Sequence, residues 1–343
     1  MNRIALIAMS AILMMTACNK SESSPVKEEF GAYIFFSQRV QTKAPLIEST
    51  ASMNGKTFGV VGYKYANTTD WNTVKSTATP TVFATTPQTV TCDENGYGTY
   101  SPLQGWSNTQ KYAFFAYYPT NTTLVNTTGV PVIKYTLAED NSATTDVNEL
   151  YQSMADVMTA TPRTDLYWNS ASSNNVASGE VTFSFAHRLS CVGVKIKNST
   201  NSAITVSKVD FTVAGIQNKE ITIPLDGSAA TPVAATTPTS ASLSLSLADA
   251  DKTIAANTVS HVELSDKLIF IPQSENLTIS KFQITFYRGE MPESFIVNDL
   301  TTALEEGKKH LISLNIKEST VDVSYKFETN AWTDIEDVYD TFN

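Results

Sequence analysis

Reactive residues are scarce in this 343-residue chain, which holds 3 histidines and 3 cysteines. The histidines, His187, His261 and His310, stand apart on strand-like stretches with no pair at metal-ligand spacing, so no metal site is expected. There is no G-x-S-x-G nucleophile elbow, no phosphate-cradling glycine loop and no catalytic signature around Cys92 or Cys191. Positive charge is short too. Against 34 Asp and Glu stand 24 Lys and Arg, a net charge of -10, whereas a nucleic-acid binder needs a basic stripe. Charged residues make up only 17% of the chain, against about a quarter in ordinary soluble domains. These absences argue against an enzyme, against any cofactor and against nucleic acid. A binding or structural protein remains.

What the chain does have suits strands. Aromatics reach 10% and Thr, Ser and Asn are abundant, a profile of β-structure and extracellular loops. The N-terminus reads as an export signal: Arg3 is a short positive region, and Ile4 to Met15 an apolar run too short to span a bilayer permanently. Met15-Thr16-Ala17-Cys18 then has the form of a bacterial lipobox, in which small residues admit the signal peptidase and the Cys18 sulfur takes a lipid; an ordinary secretory signal ending near a cysteine is the alternative. On the lipid reading, residues 1–17 are removed, 18–29 form a solvated tether, and Cys18 anchors the chain to a membrane.

Phe30 to Ser37 is the first strand expected, with Phe30, Ala32, Ile34 and Phe36 on one face and Tyr33 and Phe35 on the other, so that both faces call for burial. Arg39 and Lys43 follow directly. Such residues are ordinarily solvated charges; a functional cleavage site is the other reading. Residues 18–343 suffice for two buried cores. The most linker-like run, Ser170 to Gly179, sets the expected boundary between a domain at 30–175 and one at 176–343.

Thr57 to Tyr65 reads as a strand with glycines at close approaches, and Asn95-Gly96 as a two-residue type I′ turn of a hairpin. Lys111 to Pro119 is so continuously apolar that it should be a central strand buried on both faces. Asp146 to Met158 has helical spacing, although a loop ending in a short strand fits Asp156-Val157-Met158 equally well. Further strands are expected at Glu180 to His187, Cys191 to Lys197, Ile204 to Val213, Glu220 to Ile223, Ser242 to Leu247, Leu268 to Ile271, Leu277 to Tyr287, His310 to Ile316 and Val321 to Phe327. Without helices between them, they indicate an all-β antiparallel sandwich. Thr333-x-x-Glu336 could cap a short terminal helix, or the tail could be extended. Cys92 and Cys191 read as two unpaired thiols. Asp93-Glu94-Asn95-Gly96 begins like a calcium loop but lacks the closing acid, and the acidic tail Asp334, Glu336, Asp337, Asp340 reads as a solvated face.

Several elements occur in a telling order: Phe58-Gly59-Val60 with Gly62-Tyr63, Trp106 ahead of Tyr112-Ala113-Phe114-Phe115-Ala116-Tyr117-Tyr118-Pro119, Asp156-Val157-Met158-x-Ala160, Phe183-x-Phe185-x-His187-x-x-Ser190, Gly307-Lys308, and Trp332. In this the chain resembles the fimbrillin family of Bacteroidales lipoproteins. The resemblance implies two transthyretin-like antiparallel β-sandwich domains in tandem, export to the outer membrane through lipid on Cys18, and assembly with other fimbrial subunits into surface fibres that meet a host or bacterial ligand. In stalk subunits of that family a protease cuts after a basic residue just past the first strand, and a strand of the next subunit fills the groove. Here Arg39 and Lys43 match the cut, Phe30, Ala32, Ile34 and Phe36 the exchanged strand, and the tail from Val321 to Asn343 the donor. A monomeric surface lipoprotein binding glycans through Trp71, Trp106 or Trp168 is the other reading.

Overall fold

The computed structural model describes residues 33–40, 53–136, 156–168, 179–245, 247–265, 267–273 and 277–327. The strands are β1 (Phe35–Val40), β2 (Thr57–Ala66), β3 (Gln88–Cys92), β4 (Tyr97–Thr99), β5 (Gln110–Tyr118), β6 (Thr123–Asn126), β7 (Val132–Thr136), β8 (Met158–Ala160), β9 (Arg163–Tyr167) and β10 (Glu180–His187). There follow β11 (Ser190–Asn198), β12 (Ile204–Pro224), β13 (Thr231–Ser244), β14 (Thr253–Ile254), β15 (Val262–Glu263), β16 (Leu268–Phe270), β17 (Leu277–Arg288), β18 (Met291–Thr302), β19 (Lys309–Ile316) and β20 (Val321–Phe327). Among the described residues the only helices are two four-residue turns, Trp71–Val74 and Asp249–Lys252. The protein is all-β, as the composition required.

The described strands make three sheets. In the first, the path β2-β3-β4-β1-β10-β8-β5 returns to β2 through the β2–β5 ladder, so seven strands close on themselves, with β9 beside β5. Closure leaves few free edges. Side-chain alternation fills the ring: Phe58 and Val60 of β2, Tyr112 and Phe114 of β5, and Val181, Phe183 and Phe185 of β10 point into one core. The alternate residues Val61, Tyr63 and Tyr65 of β2 and Ala113, Phe115 and Tyr117 of β5 point outward into a second core shared with the later strands. That is why Lys111 to Pro119 is apolar on both faces.

One expectation on pairing needs correction. The sheets are not purely antiparallel, for β1 runs parallel to β10 and β11 parallel to β19. Long intervening chain supplies the crossover that parallel pairing needs. Strands from either side of the run at 170–179 share sheets: β10, beyond it, pairs with β1 and β8 of the first sheet, and β7, before it, pairs with β12 of the third.

Other differences have local causes. The hairpin of β3 and β4 turns through Asp93–Gly96, with Gly96 N–H bonded to Asp93 O, Gly96 at φ +85°, and Asp93 Oδ1 accepting from the amides of Asn95 and Tyr97. Asn95 is not among the positive-φ residues, so this is a type I turn followed by a left-handed glycine and not a type I′ turn. The strands expected at Ile204 to Val213 and Glu220 to Ile223 are one strand, β12, because Gln273 Oε1 accepts from the amides of both Gln217 and Asn218 and carries the chain between them through a bulge. Met158–Ala160 is a strand, and residues 146–155 of the expected helix lie outside the described residues, as does the tail beyond Phe327.

Cys92 lies in the ring's interior and Cys191 in the second core, unpaired. Burial pushes both thiols up to about 12. At pH 8 the thiolate fraction is therefore about one in ten thousand. Neither cysteine should react with a disulfide reagent in the native protein at pH 8 over an hour, while denaturant should release two thiols; rapid native labelling would contradict this packing.

Candidate assembly site

The first strand is a stave of the closed ring, lying between β4 and β10. Its regular part spans Phe35–Val40, later than the expected Phe30 to Ser37, with Tyr33 making one further bridge to Gly105. Backbone partners explain the shift, since Gly98 and Tyr97 run along one edge and Glu180 to Phe185 along the other. Ile34 and Phe36 are buried in the ring as expected; Phe30 and Ala32 lie outside the described residues. Phe35, expected to be buried, is 44% exposed, while polar Ser37 and Gln38 are buried. Ser37 Oγ donates to Thr182 Oγ1 at 3.0 Å, which offsets the cost of burying its hydroxyl, and the Gln38 backbone N–H donates to Gly96 O at 2.9 Å.

Loops hold the strand's leading end. Ile34 N donates to Gln104 O at 2.8 Å, Tyr100 Oη donates to Ile34 O at 2.8 Å, and Phe35 N donates to Gly179 O at 2.9 Å. Trp106 Nε1 donates to the same Gly179 carbonyl. Gly98 permits the approach of β4, for a Cβ there would stand 2.4 Å from Val90 Cγ1 and 3.3 Å from Phe36 O. Tyr100, Gln104 and Gly179 were not legible in the sequence as site residues; their loops fit no motif. The one available signal was the glycine in Tyr97-Gly98-Thr99.

Arg39 stands inside the strand, paired with Ser184, and Val40 pairs with Phe185. The sequence reading put Arg39 just past the strand, so this is a correction, with the same cause as the shifted span. Lys43 and Cys18 lie outside the described residues.

A second constellation ties the ring to the later sheets. His187 ends β10, and its Nδ1 lies 2.9 Å from the Asp156 carboxylate, both side chains almost fully buried. Ser190 Oγ donates to Glu305 O, and Gly307 N donates to Leu189 O. At Gly307 φ is +65° and a Cβ would meet His187 O at 2.9 Å, so glycine is required on both counts. Asp156, His187, Ser190 and Gly307, scattered in sequence, thus meet at one corner.

The sequence pattern of the fimbrillin-like family matches residues 42–332. The chain belongs to that family. Among solved structures, this fimbrillin-like chain is similar in fold to a fimbrial protein from Bacteroides vulgatus. The two share 19% identity, the match covers 87% of this chain and 99% of the other, and the TM-score is 0.58. It is similar also to a protein described as one of cell adhesion from Bacteroides uniformis, with 17% identity, 88% and 98% coverage and a TM-score of 0.52. No curated protein matches it in sequence. At these identities the structural likeness speaks for the fold alone. The family is a fimbrial and adhesion family, and not one known for enzymes.

Two of the three tryptophans of the glycan reading are buried and the third is partly buried. Trp71 and Trp106 are 5% and 0% exposed, and Trp168 packs against the ring core. Large rings in a thinly charged sequence go first to the cores.

Proposed function

We propose that this fimbrillin-like protein is a fimbrial subunit, exported as an outer-membrane lipoprotein through Cys18 and assembled by protease-triggered strand exchange. The observation that carries the reading is the placement of β1. It is the first of the described strands, and both its neighbours come from distant parts of the chain, β4 and β10. Its removal would leave the rest of the chain continuous and open a slot lined by Phe83, Phe114 and Phe183 with backbone partners on each side. Cleavage after Arg39 or Lys43 would release β1 together with the lipid. A strand from the next subunit's tail, within Val321 to Asn343, would then take its place. In this reading residues 30–175 and 176–343 are two tandem transthyretin-like domains tied together by the crossing strands β7 and β10. Its partners are further fimbrial subunits, the outer membrane before cleavage, and a surface ligand for adhesion.

Deleting residues 328–343 tests the donor. β20 ends at Phe327 and pairs with β19 along its length, so both cores persist in the truncated protein. A folded monomer that forms no heat-sensitive ladder on unboiled gels is expected. Ladders of normal length would mean that the tail is not the donor.

A further inference from the structure

We propose that the slot under β1 selects the strand that fills it through one aromatic side chain, at the position Phe36 holds, gripped by Phe183 and Tyr100. This deepens the strand-exchange reading and rests on it. The backbone contacts at the slot set register without choosing a sequence. Carbonyls of Gln104, Gly179 and Gly96 take the amides of positions 34, 35 and 38, and Tyr100 Oη donates to the carbonyl of position 34. Any chain can offer those groups, save one with proline at an amide position. The side-chain demand is narrower. Phe36, 1% exposed, stacks on Phe183 at 5.5 Å with the rings 19° apart, meets the edge of Phe114 at 5.5 Å and 78°, and lies 5.4 Å from Tyr100. A flat ring satisfies the stacked, edge-on and tilted neighbours at once; an aliphatic chain of similar volume loses the stacking and leaves a void.

Tyr100 both packs and positions. Its ring borders Phe36 while its hydroxyl holds Ile34 O and accepts from Gln104 N at 3.3 Å. Burial pushes that hydroxyl up to about 12, so it stays a donor throughout the physiological range. Aromatic selection and strand register are thereby coupled in a single residue. The incoming segment of a second subunit must place Phe, Tyr or Trp two residues after the residue whose carbonyl Tyr100 takes.

The test uses residues 18–343 with a recognition site for a sequence-specific protease inserted after Thr42. The cleaved protein is incubated with labelled synthetic peptides of residues 30–40 carrying Phe36, Phe36→Tyr, Phe36→Leu or Phe36→Ala. The Phe and Tyr peptides should enter, the Leu peptide about 10-fold less and the Ala peptide at least about 100-fold less. A Tyr100→Phe protein should take the Phe peptide but lose it several-fold faster, since the ring remains and the hydrogen bond does not. Entry of all four peptides alike would overturn aromatic selection and leave strand exchange standing. Entry of none would overturn strand exchange and this inference with it.

Discussion

Changing both Arg39 and Lys43 to alanine should yield a folded, lipid-bearing monomer that builds no fibres. Ile34 and Phe36 are fully buried, and their burial contributes about 4–6 kcal/mol as an upper figure. Parallel pairing along Phe35–Val40 and the ring contacts of Phe36 add to this. While β1 is covalently attached it also sits at a high effective concentration beside its slot. A competing strand then has no opening. Cutting the chain turns β1 into a peptide that can leave. The two single variants should differ. The Arg39–Val40 bond lies within the ladder, with Val40 paired to Phe185, so a protease reaches it only after the last pairs open. Lys43 follows the last paired residue by three positions. Arg39→Ala should therefore assemble at close to the normal rate, and Lys43→Ala more slowly. The measurement is the fraction of subunit in ladders on unboiled gels, and assembly by the double variant would show that neither residue marks the cut.

Asp156→Ala should be the most destabilising single change outside the cores. Its carboxylate and the His187 ring are buried together, and removing one partner of such a pair costs about 3–5 kcal/mol because the other is left desolvated. In a chain of this size that corresponds to a Tm lower by roughly 5–10 °C. Asp156→Asn keeps an acceptor and should cost less than half as much. The effect should reach beyond the ring, since the corner joins β10 to β11 and Gly307 packs on His187 O. A Tm within 1 °C of the unaltered protein would show that the pair is incidental to the fold.

The corner also shows what was legible in the sequence. Asp156-Val157-Met158 and Phe183-x-Phe185-x-His187-x-x-Ser190 stand out as motifs, and the alternation of β10 is plain. That Asp156 meets His187 follows from β8 pairing with β10, with Met158 opposite His187, and nothing local encodes such a pairing. The continuous apolar run of β5 correctly announced burial on two faces. β18 was hidden because its apolar residues do not alternate cleanly: Ile296 shares the exposed face with Pro292, Ser294 and Asn298, and Glu293 stands on the other face beside Phe295 and Val297. At the candidate assembly site, Ile34 and Phe36 were legible by period-two reasoning. The burial of Ser37 and Gln38 was not, since it follows from the strands β4 and β10 on either side, remote in sequence, with Thr182 taking the Ser37 hydroxyl.

The central claim is that β1 leaves the subunit when the fibre is built. N-terminal sequencing of subunits in fibres sheared from the cell surface reads this directly. Subunits beginning at Val40 or Ala44 are predicted, and fibres whose subunits still begin at a lipid-modified Cys18 would contradict it.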